Sequence, residues 1–470
     1  MTRRRNPSKS KSYDWVALTV LISLMCIGWF MVFSTLYVEN EPFAFLNPTT
    51  QIGAQTLWVV IALFAIPLIL TIEWKFWFTL AFPVYAFTII LLLLVLVFGK
   101  EIHGAKAWFS IGPFSFQPSE WAKFGTALAL ASYLSFFKSS ITARNTFIIS
   151  IALFLGPALI IMLQPDFGSA LVFTSFFILL YRKGMSPWVL IFGIGFSAIF
   201  IFSMIYSPII VTAFLIFIGT LFLLFELDAG RRDVMISILT LLVMIFLILQ
   251  KEYQLLLVVA LMIFAIYFVL NLKEKNFKII GLVIPLLIAM ISFSYGTTYV
   301  FDKLLKPHQQ DRINVWLRPD KCDPQGSLYN LIQSKMAIGS GGFQGKGFLK
   351  GEMTKLNYVP EQSTDFIFTT IGEEQGFIGV IGVVLLYTIL LLRCIVIAER
   401  ANLEFIRNYG YAVAGILFFH FFFNIGMTMG LLPVVGIPLP FLSKGGSSLI
   451  AFTLMIAVLI KMDMARLRSL

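Results

Sequence analysis

Apolar runs of roughly twenty residues recur from one end of the chain to the other, parted by short polar breaks, and this repetition limits the fold more than any single motif does. A bilayer core about 30 Å thick takes roughly twenty apolar residues per helical crossing, and lipid offers no partner to an unpaired backbone N–H or C=O. Long continuous runs therefore predict helices rather than strands. Composition agrees: 59% of the residues are hydrophobic and only 13% charged, a balance that soluble domains of this length do not keep. The runs lie at about 15–35, 54–72, 76–98, 119–137, 146–163, 167–181, 187–206, 208–226, 234–250, 254–271, 279–300, 366–392, 410–431 and 446–461. The expected fold is an all-α polytopic integral membrane bundle with about fourteen crossings.

Charge assigns the sides. The net charge of +11 sits between the apolar runs, where it orients a membrane protein, and this placement argues against a nucleic-acid partner. The N-terminus "MTRRRNPSKSKSYDW" is basic, but no small-residue cleavage motif follows, so the first run is expected to stay as a helix. With that tail inside, "EWK" at 73–75, "KSSITAR" at 138–144, "YRKG" at 181–184, "GRRD" at 230–233, "KEKNFK" at 273–278 and "ERANLEFIR" at 399–407 also fall inside. The alternate connections carry little positive charge. The chain then divides into a cytoplasmic tail 1–14, membrane helices 15–183, a block 184–301, a large extracytoplasmic loop 302–365, helices 366–461 and a cytoplasmic tail 462–470. The turn "QPDFG" at 164–168 and the loop around 433–445 share the outer side with the large loop. Cys26, Cys322 and Cys394 are too scattered for a disulfide framework, and His103, His308 and His420 have no metal-ligand spacing.

Several outer residues could do chemistry. "DPQG" at 323–326 presents Asp323 at a rigid corner, since Pro fixes φ and Gly closes the turn; an Asx-turn starter is the bland alternative. "IGSGGFQGKG" at 338–347 offers flexible backbone whose N–H groups can approach phosphate or sugar, flanked by Lys335 and Lys346. It lacks the P-loop spacing. In "QPSEWAKF" at 117–124, Glu120 and Lys123 share one helix face; an ion pair at the membrane edge is the competing reading. Asp365, Glu373 and Glu374 open another helix, where the helix dipole alone would favour carboxylates.

Taken together, "HGAKAWFSIGPFSFQPSEWAKF" at 103–124, "QPDFGSAL" at 164–171, "DPQGSLYNLIQSKMAIGSGGFQGKG" at 323–347, "NYVPEQSTDFIFTTIGEEQG" at 357–376 and "GIPLPFLSKGGSS" at 436–448 resemble the SEDS family (shape, elongation, division and sporulation). The wording is closer to its rod-shape-determining members than to its division members. The resemblance implies a peptidoglycan glycosyltransferase that polymerises lipid II at the outer face of the cytoplasmic membrane during elongation, with both termini in the cytoplasm. It implies as partners a class B penicillin-binding transpeptidase and further membrane proteins of the elongation complex. It also implies that Asp323 is the catalytic carboxylate. The chain departs from the family pattern at Ala107, where Arg is usual, at Leu328 (Gly), Ser363 (His) and Lys444 (Tyr). The family has ten crossings, so about four helices are expected as an insertion between Pro187 and Phe301, an even number that keeps Asp323 outside.

The implied reaction sets three tasks. A carboxylate takes the proton of the attacking hydroxyl, for which Asp323 is the candidate. Positive charge steadies the departing pyrophosphate; Lys123, Arg312, Lys335 and Lys346 are candidates of equal standing, with a divalent cation, Mg2+ or Mn2+, bridging the phosphates. Lipid tails need an apolar groove, expected along the helices beginning at Ser119 and Asp365, so that Glu120 and Asp365 border the substrate. A lipid flippase, a division polymerase and a non-catalytic scaffold are the alternatives.

Overall fold

The computed structural model describes residues 13–37, 44–102, 104–111, 114–136, 143–225, 227, 231–274, 277–305, 307–326 and 328–465. His103, most of the basic connection 138–144, residues 1–12 and residues 466–470 lie outside the described residues. The chain forms two units, one of residues 1–186 and 323–470, the other of Pro187–Cys322.

The first unit opens with α1 (Trp15–Leu36), whose first turn is capped by Asp14 Oδ1 accepting from Ala17 N at 3.0 Å. α2 (Gln51–Thr71), the short α3 (Trp74–Thr79) and α4 (Ala81–Phe98) follow. A small antiparallel sheet of β1 (Lys100–Ile102), β2 (Ala105–Ile111) and β3 (Phe114–Phe116) then leads into α5 (Pro118–Phe136) and α6 (Arg144–Met162). The run expected as one crossing at 167–181 is broken: α7 (Phe167–Val172) and α8 (Phe176–Arg182) are joined by a 3₁₀ turn. α5 runs through the middle. Its small residues, Ala122, Gly125, Ala127, Ala129 and Ala131, let neighbouring helices close around it, and almost every residue is buried.

In the second unit, α9 (Pro187–Ile205), α10 (Pro208–Phe225), α11 (Arg231–Leu249), α12 (Tyr253–Lys273) and α13 (Phe277–Tyr299) are followed by α14 (Pro307–Leu317). α10 packs one face against α12 and α13 around Leu223, Tyr267 and Val283, and another around Ala213, Met244 and Leu256. Inside this apolar packing the polar groups are paired: Ser203 with Ser294 at 2.7 Å, and Asn271 Nδ2 donating to Leu223 O at 3.0 Å. α13 ends in a π-helical turn at Val300–Leu304, and Gln310 Nε2 donates to the Phe301 carbonyl there at 2.6 Å.

The first unit resumes with α15 (Tyr329–Ser340), α16 (Glu352–Lys355), α17 (Ile367–Arg400), α18 (Glu404–Thr428) and α19 (Gly446–Ala465). Residues 302–365 are thus not devoid of secondary structure. They hold three helices and divide between the two units at Cys322 and Asp323. Among the described residues twelve helices are long and apolar enough to cross a membrane. Of the fourteen expected crossings, α5 falls short of that measure through its small and polar residues, and 167–182 through its length.

Within the first unit the polar ends meet on one side, the loop-bearing end. Lys106 N donates to Gln164 O, Gln117 N to Ser447 Oγ, Gly445 N to Gln55 Oε1, and Ser34 Oγ to Glu374 Oε1. The opposite end is clamped by charge: Asp14 pairs with Arg393 at 2.5 Å and Arg400 at 2.8 Å, and Arg400 also pairs with Asp463 at 2.5 Å.

Candidate functional site

Asp323 begins the first unit's return, and local hydrogen bonding makes the corner. Its Oδ1 accepts from Gln325 N at 2.9 Å, while its carbonyl accepts from Gly326 N at 3.1 Å and Leu328 N at 3.4 Å. The Asx turn is therefore real, and it leaves the carboxylate exposed to a reactant. α15 then seats on α17 and α18: Ser334 Oγ donates to Thr428 O at 2.9 Å and lies 2.8 Å from Thr369 Oγ1. Lys335, next in sequence, is exposed and passes over Gly430, where a Cβ would come within 2.6 Å of its Nζ.

Three N–H groups at the end of the glycine-rich segment are taken up within the protein. Gly345 N donates to Gly341 O at 2.8 Å, Lys346 N to Glu373 O at 3.0 Å and Gly347 N to Glu374 O at 2.9 Å. Its glycines serve close packing instead: a Cβ on Gly341 would lie 2.0 Å from Gly372 O, and one on Gly345, at φ +78°, 2.2 Å from Glu374 O. Lys346 Nζ binds the buried Glu373 carboxylate at 3.0 Å and Glu352 at 3.6 Å. That hydrogen bond to Glu373 holds the lysine above its ordinary pKa, against the effect of burial. Glu373 also accepts from Met353 N, Thr354 N and Thr354 Oγ1, so it fastens α16 to α17.

Glu120 and Lys123 are turned inward. They pair at 2.7 Å with 1% and 0% exposure, which removes both from any surface a substrate could touch. Lys123 Nζ also lies 2.9 Å from His420 Nε2, a partner 297 residues away that no spacing in the sequence announces. Asp365 is half-buried over Gly436, and its carbonyl accepts from Asn424 Nδ2 at 2.8 Å. Arg312 is exposed on α14 in the other unit. Two departures from the expected pattern meet: Lys444 N donates to Ser363 O at 2.8 Å, and Lys444 Nζ reaches Gln51 Oε1 at 2.7 Å. Burial lowers the pKa of Lys444.

The segment expected as an outer loop at 433–445 is irregular backbone that re-enters the helical bundle. Gly28 and Gly168 make room for it, since a Cβ on either would come within 2.1 Å of Phe441 O or 2.3 Å of Val435 O. Prolines and apolar side chains carry no periodicity that would announce such burial. An apolar groove of about 490 Å³ lies between α1 and α17, lined by Phe30, Met31, Phe348, Gln375, Gly379 and Val383 among others. α17 borders it, and α5 does not, because its neighbours enclose it. α17 breaks beside the groove at Gly376, where φ is +63°. Among the described residues no three His, Cys, Asp or Glu side chains are grouped to hold a metal ion.

Fold and site define a multi-pass helical membrane protein that gathers carboxylates and lysines at one end of an apolar bundle. The family model of the FtsW/RodA/SpoVE cell cycle proteins matches residues 14–217 and 209–467, and the chain belongs to that family. It is 29% identical to the peptidoglycan glycosyltransferase RodA of Treponema pallidum, over 95% of both chains, and 29% to the peptidoglycan glycosyltransferase MrdB of Escherichia coli K12, over 95% of this chain and 93% of that one. A probable peptidoglycan glycosyltransferase FtsW of Idiomarina loihiensis is 27% identical, over 97% and 88%. Among solved structures, one described as structural coordination of polymerization and crosslinking by a peptidoglycan synthase complex superposes with a TM-score of 0.63 at 24% identity, covering 97% of this chain and 98% of that one. The rod shape determining protein RodA of Thermus thermophilus superposes with a TM-score of 0.56 at 23% identity, over the same shares.

Proposed function

We infer that this chain is a peptidoglycan glycosyltransferase that polymerises lipid II into glycan strands during cell elongation. Family membership and the activity named for its relatives support the reading; the observation that carries it here is the solvent-open Asp323 carboxylate on a hydrogen-bonded corner. The sugar 4-hydroxyl attacks the anomeric carbon of the lipid-linked donor, the bond from that carbon to pyrophosphate breaks, and the hydroxyl proton passes to Asp323. An α-linked donor giving a β-linked product inverts, which suits a base and needs no covalent intermediate.

Of the four cations proposed for the pyrophosphate, Lys335 suits the task best within the unit that holds Asp323. Lys123 is enclosed, Lys346 is committed to Glu373 and Glu352, and Arg312 belongs to the other unit. A divalent cation here would take its oxygens mainly from the pyrophosphate and water, since among the described residues the acidic side chains are not grouped to hold one. The groove between α1 and α17 suits a prenyl chain. The charge pattern favours the cytoplasmic membrane with both termini inside and the loop-bearing end outward, where a class B penicillin-binding transpeptidase and other elongation-complex proteins would meet the product.

The test is Asp323→Asn with purified lipid II. Polymer formation should fall by about 10²–10⁴. Full activity in that variant would refute the assignment, and lipid II translocation into liposomes without any polymer would favour a flippase instead.

A further inference from the structure

Backbone that dips below a membrane surface needs a partner for every polar group it carries there. Segment 432–445 finds its partners on helix side chains. Ile437 O accepts from Asn424 Nδ2 at 2.8 Å, Pro438 O from His420 Nδ1 at 2.9 Å, and Pro440 O from Tyr387 Oη. His420 differs from the other two pegs because its second nitrogen reaches a charge, the Lys123 ammonium at 2.9 Å.

The protonation pattern follows from the partners. An ammonium group only donates and a carbonyl only accepts, so Nδ1 carries the proton toward Pro438 and Nε2 receives from Lys123. The imidazole is neutral. Its ring stands edge-on to Phe452 with centroids 4.9 Å apart, and Lys123 Nζ lies 5.6 Å from the same ring. Glu120 adds only one oxygen to this arrangement, since its Oε2 is buried without a partner. Lys123 therefore depends on His420 for its second strong acceptor.

Toward the loop-bearing end, the same segment supports the corner that opens α17. Leu439 N donates to Ser443 Oγ at 2.8 Å, Ser443 Oγ donates to Thr364 O at 2.6 Å, and Lys444 N donates to Ser363 O at 2.8 Å. Asn424, one helical turn beyond His420, holds the Asp365 carbonyl as well as Ile437 O. A histidine that merely filled the core would use one ring nitrogen within its own neighbourhood; this one uses both, across α5, α18 and the re-entrant segment.

We propose that His420 is a positioning residue: it locks the depth of segment 437–443 to the buried Glu120–Lys123 pair and thereby places the Ser363–Asp365 corner. Its effect on turnover rests on the polymerase reading; its effect on placement does not. The test compares His420→Gln, whose amide can donate to Pro438 O and accept from Lys123, with His420→Phe, which keeps the volume and loses both bonds. Hydrogen exchange of the full-length protein is followed in peptides covering 433–445 and 361–366, with α4 and α6 as controls. In His420→Phe the first two peptides should exchange about tenfold faster or more while the controls keep their protection, and His420→Gln should behave as wild type. Lipid II polymerisation should follow the same order through kcat, with KM unchanged. Wild-type exchange in His420→Phe, equal loosening in both variants, or loss of protection throughout α4 and α6 would each overturn the proposal. Absence of polymer from the wild-type protein would sink the polymerase reading while the exchange data still decide this one.

Discussion

Two carboxylates near the loop-bearing end show how burial divides labour between residues. Glu373 is fully buried and accepts four hydrogen bonds, from Lys346, Met353 and both donors of Thr354. Asp323 is exposed and accepts one on its side chain from Gln325. Replacing Glu373 by Gln keeps the shape but removes the charge that all four donors face, at a cost of about 2–4 kcal/mol, which a lower melting temperature in detergent should reveal. Asp323→Asn retains an acceptor oxygen and should melt within about 0.5 kcal/mol of wild type even as polymer formation is lost. Lys346 adds a pH dependence. Its pKa is raised by the hydrogen bond to Glu373, so its stabilisation is complete below the ordinary lysine value of about 10.4 and is lost as pH rises through the raised value. Wild type should therefore lose more melting temperature in that alkaline window than Glu373→Gln does.

The re-entrant segment is where one helix limits another element most tightly. A Cβ on Gly28 of α1 would lie 2.1 Å from Phe441 O, and Phe441 itself already holds φ at +68°, so neither side can yield cheaply. Gly28→Ala should cost about 1–3 kcal/mol and lower polymerase turnover, read by a melting curve and a lipid II assay on the same preparation. The long helices were legible in the sequence because twenty apolar residues in a row carry their own explanation. The re-entrant segment was not, because its prolines and apolar side chains look alike whether water or protein surrounds them. The glycines of 339–347 misled for a related reason: glycine marks close backbone approach without saying to what, and here the approach is to Gly372 and Glu374 rather than to phosphate. His420 escaped because its partner Lys123 lies on another helix far away in sequence, whereas Glu120 and Lys123 were legible as a pair from their spacing alone.

At the scale of the whole molecule the decisive quantity is the parity of membrane crossings ahead of Asp323, since a polymerase of lipid II must hold its base on the side where that substrate is displayed. Among the described residues nine helices that are long and apolar enough to span precede Asp323; counting α5 and the broken helix 167–182 as well makes eleven. Both numbers are odd, so if the basic N-terminus lies inside, as its charge favours, Asp323 lies outside on either count. Only an odd change in that count would reverse it. The cysteines supply the measurement without any substitution: Cys394 is buried, Cys26 is exposed but lies within the membrane-length helix α1, away from a reagent that stays in water, and Cys322 is partly exposed beside Asp323 in the chain. A thiol reagent that cannot pass lipid should label Cys322 in intact spheroplasts to the same extent as in lysed ones. Labelling that appears only after lysis would place the acidic corner in the cytoplasm, and an exposed carboxylate on that side could not serve glycan synthesis, however well its turn is built.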